Sequence, residues 1–195
     1  MGPIARDGNH QGFTLMEVVV ALGVASVVLL ILGNILRSST NSVDYVITGS
    51  TADQEMKKGL GRLLGELQGS SPTVVSISTA DPDHDAITFQ TPGSYTGGVN
   101  WGATESNGTW QAGWSTQYLV VSGNLVRRVS DGMGNQIGPD ELLVRRLDAS
   151  TGGVKGFRMT RNGALVTTTV RTRKGLRDSH EIQKEFTSSI FLKNP

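Results

Sequence analysis

Apolar and polar positions alternate along the chain in three distinct rhythms. From Val18 to Leu36 nineteen residues pass without an ionisable side chain, and Glu17 stands just ahead of them. As a helix, residues 15–36 reach about 33 Å at ~1.5 Å per residue, against a bilayer core of about 30 Å. Past Arg37 the pattern turns amphipathic. Val43, Val46 and Ile47, then Met56, Leu60, Leu63, Leu64 and Leu67, recur at three- and four-residue steps, with charged residues largely between them. The polar stretch "TGSTADQ" around Gly49 predicts a bend or break, and "GSSP" at 69–72 an end. Gly59, Gly61 and Gly65 each cost roughly 1 kcal/mol relative to alanine, so packing rather than propensity must hold this helix.

Beyond Pro72 the rhythm is strand-like. The pattern predicts strands at 73–78, 86–91, 117–122, 125–129, 142–147, 154–160, 165–173 and 188–193, with "SGN" at 122–124 as a tight hairpin turn. β-Branched residues with polar alternation in "LVTTTVRTR" indicate a half-buried strand. The fold class is therefore α+β: a long N-terminal helix, membrane-spanning in its first half, packed on an antiparallel β-rich domain. Its boundaries fall at 1–12 (a polar leader), 13–36 (the spanning half), 37–70 (the amphipathic half) and 71–195 (the β domain).

Charge is unevenly spread. Residues 1–115 carry 5 Lys/Arg against 10 Asp/Glu, and residues 116–195 carry 13 against 7, so the β half is basic within a chain of net charge +1. There are no cysteines, which excludes disulfides and cysteine metal sites. The three histidines, His10, His84 and His180, sit in no hydrolase or metalloprotease motif, and the chain reads as a non-enzyme.

Glu17 is the residue to explain. An ionisable group inside a membrane segment is a functional candidate by default, whereas a simple signal anchor would merely tolerate it at the headgroup boundary. The stretch "GFTLME" followed by an apolar helix resembles the class III signal of type IV pilins and type II secretion pseudopilins. The resemblance implies that a prepilin peptidase cuts after Gly12 and that Phe13 becomes a methylated N-terminus. It makes Glu17 an assembly residue, its carboxylate neutralising a neighbouring subunit's amine. Removing one partner of such a desolvated pair is strongly destabilising, which would set axial register.

The later "QYLVVSGNLVRR", "LLVRRLDASTGGVKGFRMTRNG" and "SSIFLKN" are similar to W-type minor pilins and J-type minor pseudopilins. That likeness implies a non-catalytic subunit that helps initiate a filament at its tip, and the missing disulfide of major pilins agrees with it. The implied partners are the peptidase, other pilin or pseudopilin subunits and an inner-membrane assembly platform. The implied location is a single-pass inner-membrane protein with its C-terminal domain in the periplasm or outside the cell. A DNA-binding minor pilin serving DNA uptake is the alternative.

Other stretches carry two readings each. "DPDHD" sets Asp81, Asp83 and Asp85 at alternating positions, a candidate calcium loop or a solvated turn; no other cofactor is expected. The oxygen-rich "DGMGNQIGPDE" at 131–141 allows the same pair of readings. Arg127, Arg145, Arg171 and Arg173 are candidate anion-binding residues if they share a face, although adjacent arginines on a strand point to opposite faces. Trp101, Trp110 and Trp114 lie with Tyr95 in a Gly-rich loop at 92–115, either to grip a partner or to fold inwards as a satellite core.

Overall fold

The computed structural model describes residues 13–93, 99–149, 153–175 and 181–193. By its internal contacts the chain divides into two units, Met1–Asp44 and Tyr45–Pro195. Helix α1 runs from Leu15 to Gln68 and belongs to both.

In the first unit every described apolar side chain of α1 is solvent-exposed, Leu15 at 86% and Leu30 at 70%. The helix contains a stretch long and apolar enough to cross a membrane. Ser26 and Thr40 donate their hydroxyls to the carbonyls of Leu22 and Leu36, at 2.8 and 3.0 Å. Polar side chains are thereby satisfied inside the helix itself.

The second unit contains the rest of α1, a short 3-10 turn (Pro72–Val74) and eleven strands. A five-stranded antiparallel sheet has the order β1-β2-β6-β7-β8: β1 (Ser76–Ser78), β2 (Ala86–Phe89), β6 (Ser115–Val121), β7 (Asn124–Ser130) and β8 (Gln136–Val144). A second sheet has the order β11-β10-β9, from β9 (Phe157–Asn162), β10 (Leu165–Gly175) and β11 (Glu181–Phe191). A small third sheet joins β3 (Thr91–Pro92), β4 (Trp101–Thr104) and β5 (Trp110–Ala112). Met56, Leu60, Leu63 and Leu67 form the buried stripe of α1. They pack with Ile87, Phe89, Tyr118, Leu125 and Val144 of the first sheet and Phe157, Val166 and Val170 of the second. Burial of each such side chain contributes about 1.5–3 kcal/mol.

The expected interruption at "TGSTADQ" does not occur, since α1 is helical throughout. Gly49 and Ala52 are buried, and a Cβ on Gly49 would stand 3.7 Å from the Lys184 Cε of β11. The Thr51 hydroxyl returns to the Ile47 carbonyl at 2.9 Å. These residues do not break the helix. At Gly59 the sheet comes closer, since a Cβ there would stand 2.7 Å from Val144 Cγ2.

The eight expected strands all have counterparts, with shifted ends. The turn at Ser122–Gly123 has positive φ at both residues (50° and 72°), as a two-residue type I′ hairpin requires. β8 starts six residues early because an edge strand tolerates its Gly138-Pro139 pair. β11 starts seven residues early; its apolar residues Ile182, Phe186 and Ile190 recur every four positions, which hides the alternation. β4 and β5 lie inside the stretch expected to be loop.

Candidate functional site

At the start of α1, Thr14 and Glu17 form a reciprocal cap. The Thr14 backbone N–H and hydroxyl both donate to Glu17 Oε2, at 2.9 and 3.0 Å, and the Glu17 N–H donates to Thr14 Oγ1 at 3.2 Å. This is the capping box S/T-x-x-E, which satisfies donors that the first helical turn leaves free. Thr14 was not singled out above, although the spacing T-x-x-E just ahead of an apolar run is the signal that identifies it. Phe13 is 87% exposed. Gly12 lies outside the described residues. The cap holds Glu17 in one orientation at the head of the helix, with the carboxylate Oε1 making no hydrogen bond among the described residues.

The acidic loop divides its three carboxylates among separate tasks. Asp81 Oδ1 accepts the backbone N–H of Asp83 at 2.8 Å and of His84 at 3.3 Å. The Asp83 bond foremost holds the Asp81 carboxyl below its ordinary pKa. Asp85 is buried and accepts the Met159 N–H at 2.7 Å and the Lys155 ammonium at 2.7 Å. Lys155 also donates to the carbonyls of Thr79 and Asp81. An ammonium thus stands among these oxygens, and among the described residues no three His, Cys, Asp or Glu side chains converge as metal ligands. Asp83 makes an interaction of its own.

The 131–141 turn is likewise self-contained. Asp131 Oδ1 accepts the N–H groups of Met133 and Asn135, and Oδ2 accepts the Asn135 amide. The Asn135 bonds foremost lower the Asp131 pKa.

The candidate anion-binding arginines do not line one open face. Arg127 is buried, 3% exposed, with Nε on both Glu66 oxygens at 2.9 and 3.1 Å. Arg171 faces Glu185 at 3.3 Å. Arg173 is shared between Glu181 and Asp148, at 3.2 and 3.5 Å. Arg145 is exposed beside Leu143 and Glu141, in a groove between α1 and β8. Arg128 is clamped by Asp140 through two hydrogen bonds, 2.8 and 2.7 Å.

The three tryptophans are alike in burial. Trp101 and Trp110 belong to the small third sheet, and all three indoles are half-buried. The Trp110 ring lies on two glycines: a Cβ at Gly93 would meet it at 2.4 Å, and one at Gly102 at 2.6 Å. Its Nε1 donates to the Thr91 carbonyl at 3.4 Å. Trp110 is thus folded onto its own small sheet. Tyr95 lies outside the described residues.

Residues 7–33 match a family model described as the prokaryotic N-terminal methylation motif. The match covers the Gly12–Phe13 junction, the Thr14–Glu17 cap and the first turns of α1. No curated protein and no solved structure matches the chain. The chain therefore carries the N-terminal signature of type IV pilins and pseudopilins. Its architecture, one long N-terminal helix followed by antiparallel sheets, is pilin-like.

Proposed function

We propose that this chain is a minor pilin or pseudopilin, a non-catalytic subunit that helps start assembly of a type IV pilus or type II secretion pseudopilus at its tip. The supporting observation is the methylation motif laid over a membrane-length apolar stretch of α1, residues 15–36, whose only ionisable group, Glu17, is oriented at its head. On this reading a prepilin peptidase cuts after Gly12 and Phe13 becomes the methylated terminus. The Glu17 carboxylate then meets the amine of a neighbouring subunit. The C-terminal domain stands on the far side of the inner membrane from the peptidase, and other pilin subunits and the assembly platform are its partners.

DNA as the partner draws little support from the arginines, since Arg127, Arg128, Arg171 and Arg173 are engaged by carboxylates. The test is mass spectrometry of the N-terminal peptide from native membranes, combined with Glu17→Ala. An N-methylated Phe13 and a processed but assembly-defective variant are expected. An intact leader, or normal filaments from Glu17→Ala, would overturn the reading.

A further inference from the structure

The sheets of the second unit treat their edges unequally. β1 offers only three residues. β8 is broken by register shifts against β7 and carries Gly138-Pro139, so its outer edge is irregular. β9 is stopped by Asp85, whose N–H donates to the Phe157 carbonyl at 2.8 Å and whose Oδ2 takes the Met159 N–H. The third sheet ends in strands of two and three residues. Short strands, prolines, bulges and covering side chains are the means by which proteins prevent edge-to-edge pairing.

β11 has none of these; its charged residues, which can also guard an edge, are each paired within the chain, Glu181 with Arg173, Lys184 with Asp53 and Glu185 with Arg171. It pairs with β10 over eleven consecutive residues without a register shift, contains neither Pro nor Gly, and spans about 35 Å. The direction of its free backbone groups follows from the ladder. Leu192 N donates to the Ala164 carbonyl, which continues the register and places the even-numbered residues of β11 in the bonded pairs. Arg171 agrees from the other side. Its N–H and C=O are spent on Gly156 and Asp148, away from β11, so its opposite residue Glu185 also turns outward. Glu181, Gln183, Glu185, Thr187, Ser189 and Phe191 thus present their N–H and C=O groups to the open edge, and no backbone group meets them among the described residues.

We propose that the outer edge of β11 receives a strand from a different filament subunit, extending the β9–β11 sheet by strand addition. The inference rests on the filament reading above. The occupant is not a second copy of this chain, for two geometric reasons. Antiparallel self-pairing about an axis normal to the sheet sets the part of α1 that packs on it (residues 45–68) antiparallel in the two copies, whereas subunits of one filament run in the same direction. Parallel self-pairing about an axis along the strand turns one copy over. It sets the apolar row Ile182, Phe186 and Ile190 beside the polar row Gln183, Thr187 and Ser189. A different strand can match both rows. It needs apolar side chains beside the half-buried Phe186 and Ile190 on one face and polar ones beside Gln183, Thr187 and Ser189 on the other.

Proline at position 187 tests the edge selectively, because the N–H it removes points outward and the bonds to β10 remain. The experiment uses the full chain in its native membrane, with a photo-crosslinking residue replacing Gln183 and crosslinked partners identified by mass spectrometry. A crosslink to another subunit is expected, reduced at least tenfold by Thr187→Pro. Thr187→Val should leave it intact, since that change removes only the hydroxyl contact with Thr169. Ser189→Pro is the second edge variant and should behave like Thr187→Pro if the latter does not accumulate. No crosslink at position 183, a crosslink only to a second copy, or one unaffected by proline in an accumulating variant would overturn the proposal. Glu17→Ala, run in parallel, separates the two readings. Normal assembly there removes the filament reading, while an assembly defect there with proline-insensitive crosslinks removes the edge proposal alone.

Discussion

The Arg127 guanidinium and the Glu66 carboxylate meet inside the second unit at 2.9 and 3.1 Å, tying β7 to α1. Arg127 Nη2 also donates to the Thr104 carbonyl at 2.7 Å, so one side chain links the helix to two sheets. Glu66 meets Arg62 as well, at 3.3 Å, and Arg62 in turn pairs with Glu141 of β8.

Breaking this link is expected to cost more than replacing it. Arg127→Leu leaves Glu66 only its contact with Arg62, takes this donor from the Thr104 carbonyl, and should lower unfolding stability by about 3 kcal/mol. The double variant with Glu66→Leu should recover part of that loss. Denaturant midpoints of the full chain in detergent measure both, and a single-variant loss under ~1 kcal/mol would contradict the role given to the pair.

Two glycines should respond in opposite directions to alanine. At Gly156 a Cβ would stand 1.7 Å from the Asp148 carbonyl oxygen, a backbone atom that cannot rotate aside. Gly156→Ala should therefore fail to accumulate as folded protein. Gly65 lies in α1 with nothing within 4 Å of its Cβ position. Gly65→Ala should raise stability by up to about 1 kcal/mol. Protease resistance and thermal midpoints compare the two.

Acid should weaken the second unit in two steps. Burial foremost lowers the His84 pKa, among Asp81, Asp83, Lys155 and Asp148. A depressed folded-state value means that protonation favours the unfolded chain. Stability should therefore fall as pH drops below the unfolded histidine value of about 6.5. The Arg128 hydrogen bonds foremost lower the Asp140 pKa. That contribution is complete above the unfolded value of about 3.9 and is lost as pH falls through the lower folded value. His84→Gln should flatten the upper step and Asp140→Asn the lower one in a melting series from pH 7.5 to 3. An unchanged slope in His84→Gln would remove the first assignment.

The helix head should loosen when its cap is removed. Thr14→Ala deletes the hydroxyl that caps Glu17 N–H and donates to the Glu17 carboxylate. Amide exchange at residues 15–18 in detergent should rise about fivefold, matching the ~1 kcal/mol typical of an N-cap. Thr14→Ser should restore protection. Equal exchange in all three chains would show that the box does not hold the first turn.

What the amino-acid order determined by itself is local. Nineteen uncharged residues behind Glu17 define the apolar helix segment, Ser122-Gly123 can serve only a tight turn of positive φ, and T-x-x-E marks the helix start. Each follows from residues that are neighbours along the chain. The tertiary structure decided whatever depends on residues far apart. Gly49 looked like a helix break, yet it lies buried within an unbroken α1. Arg127 looked like a surface cation, yet a carboxylate sixty-one residues away buries it. The Trp110 hairpin is stable because two glycines, Gly93 and Gly102, leave room for one indole. The open edge of β11 exists only because β10 bonds to its other side. Hydrophobic periodicity reports which way a side chain faces, but the partner that satisfies a charge or fills a gap is chosen by the fold.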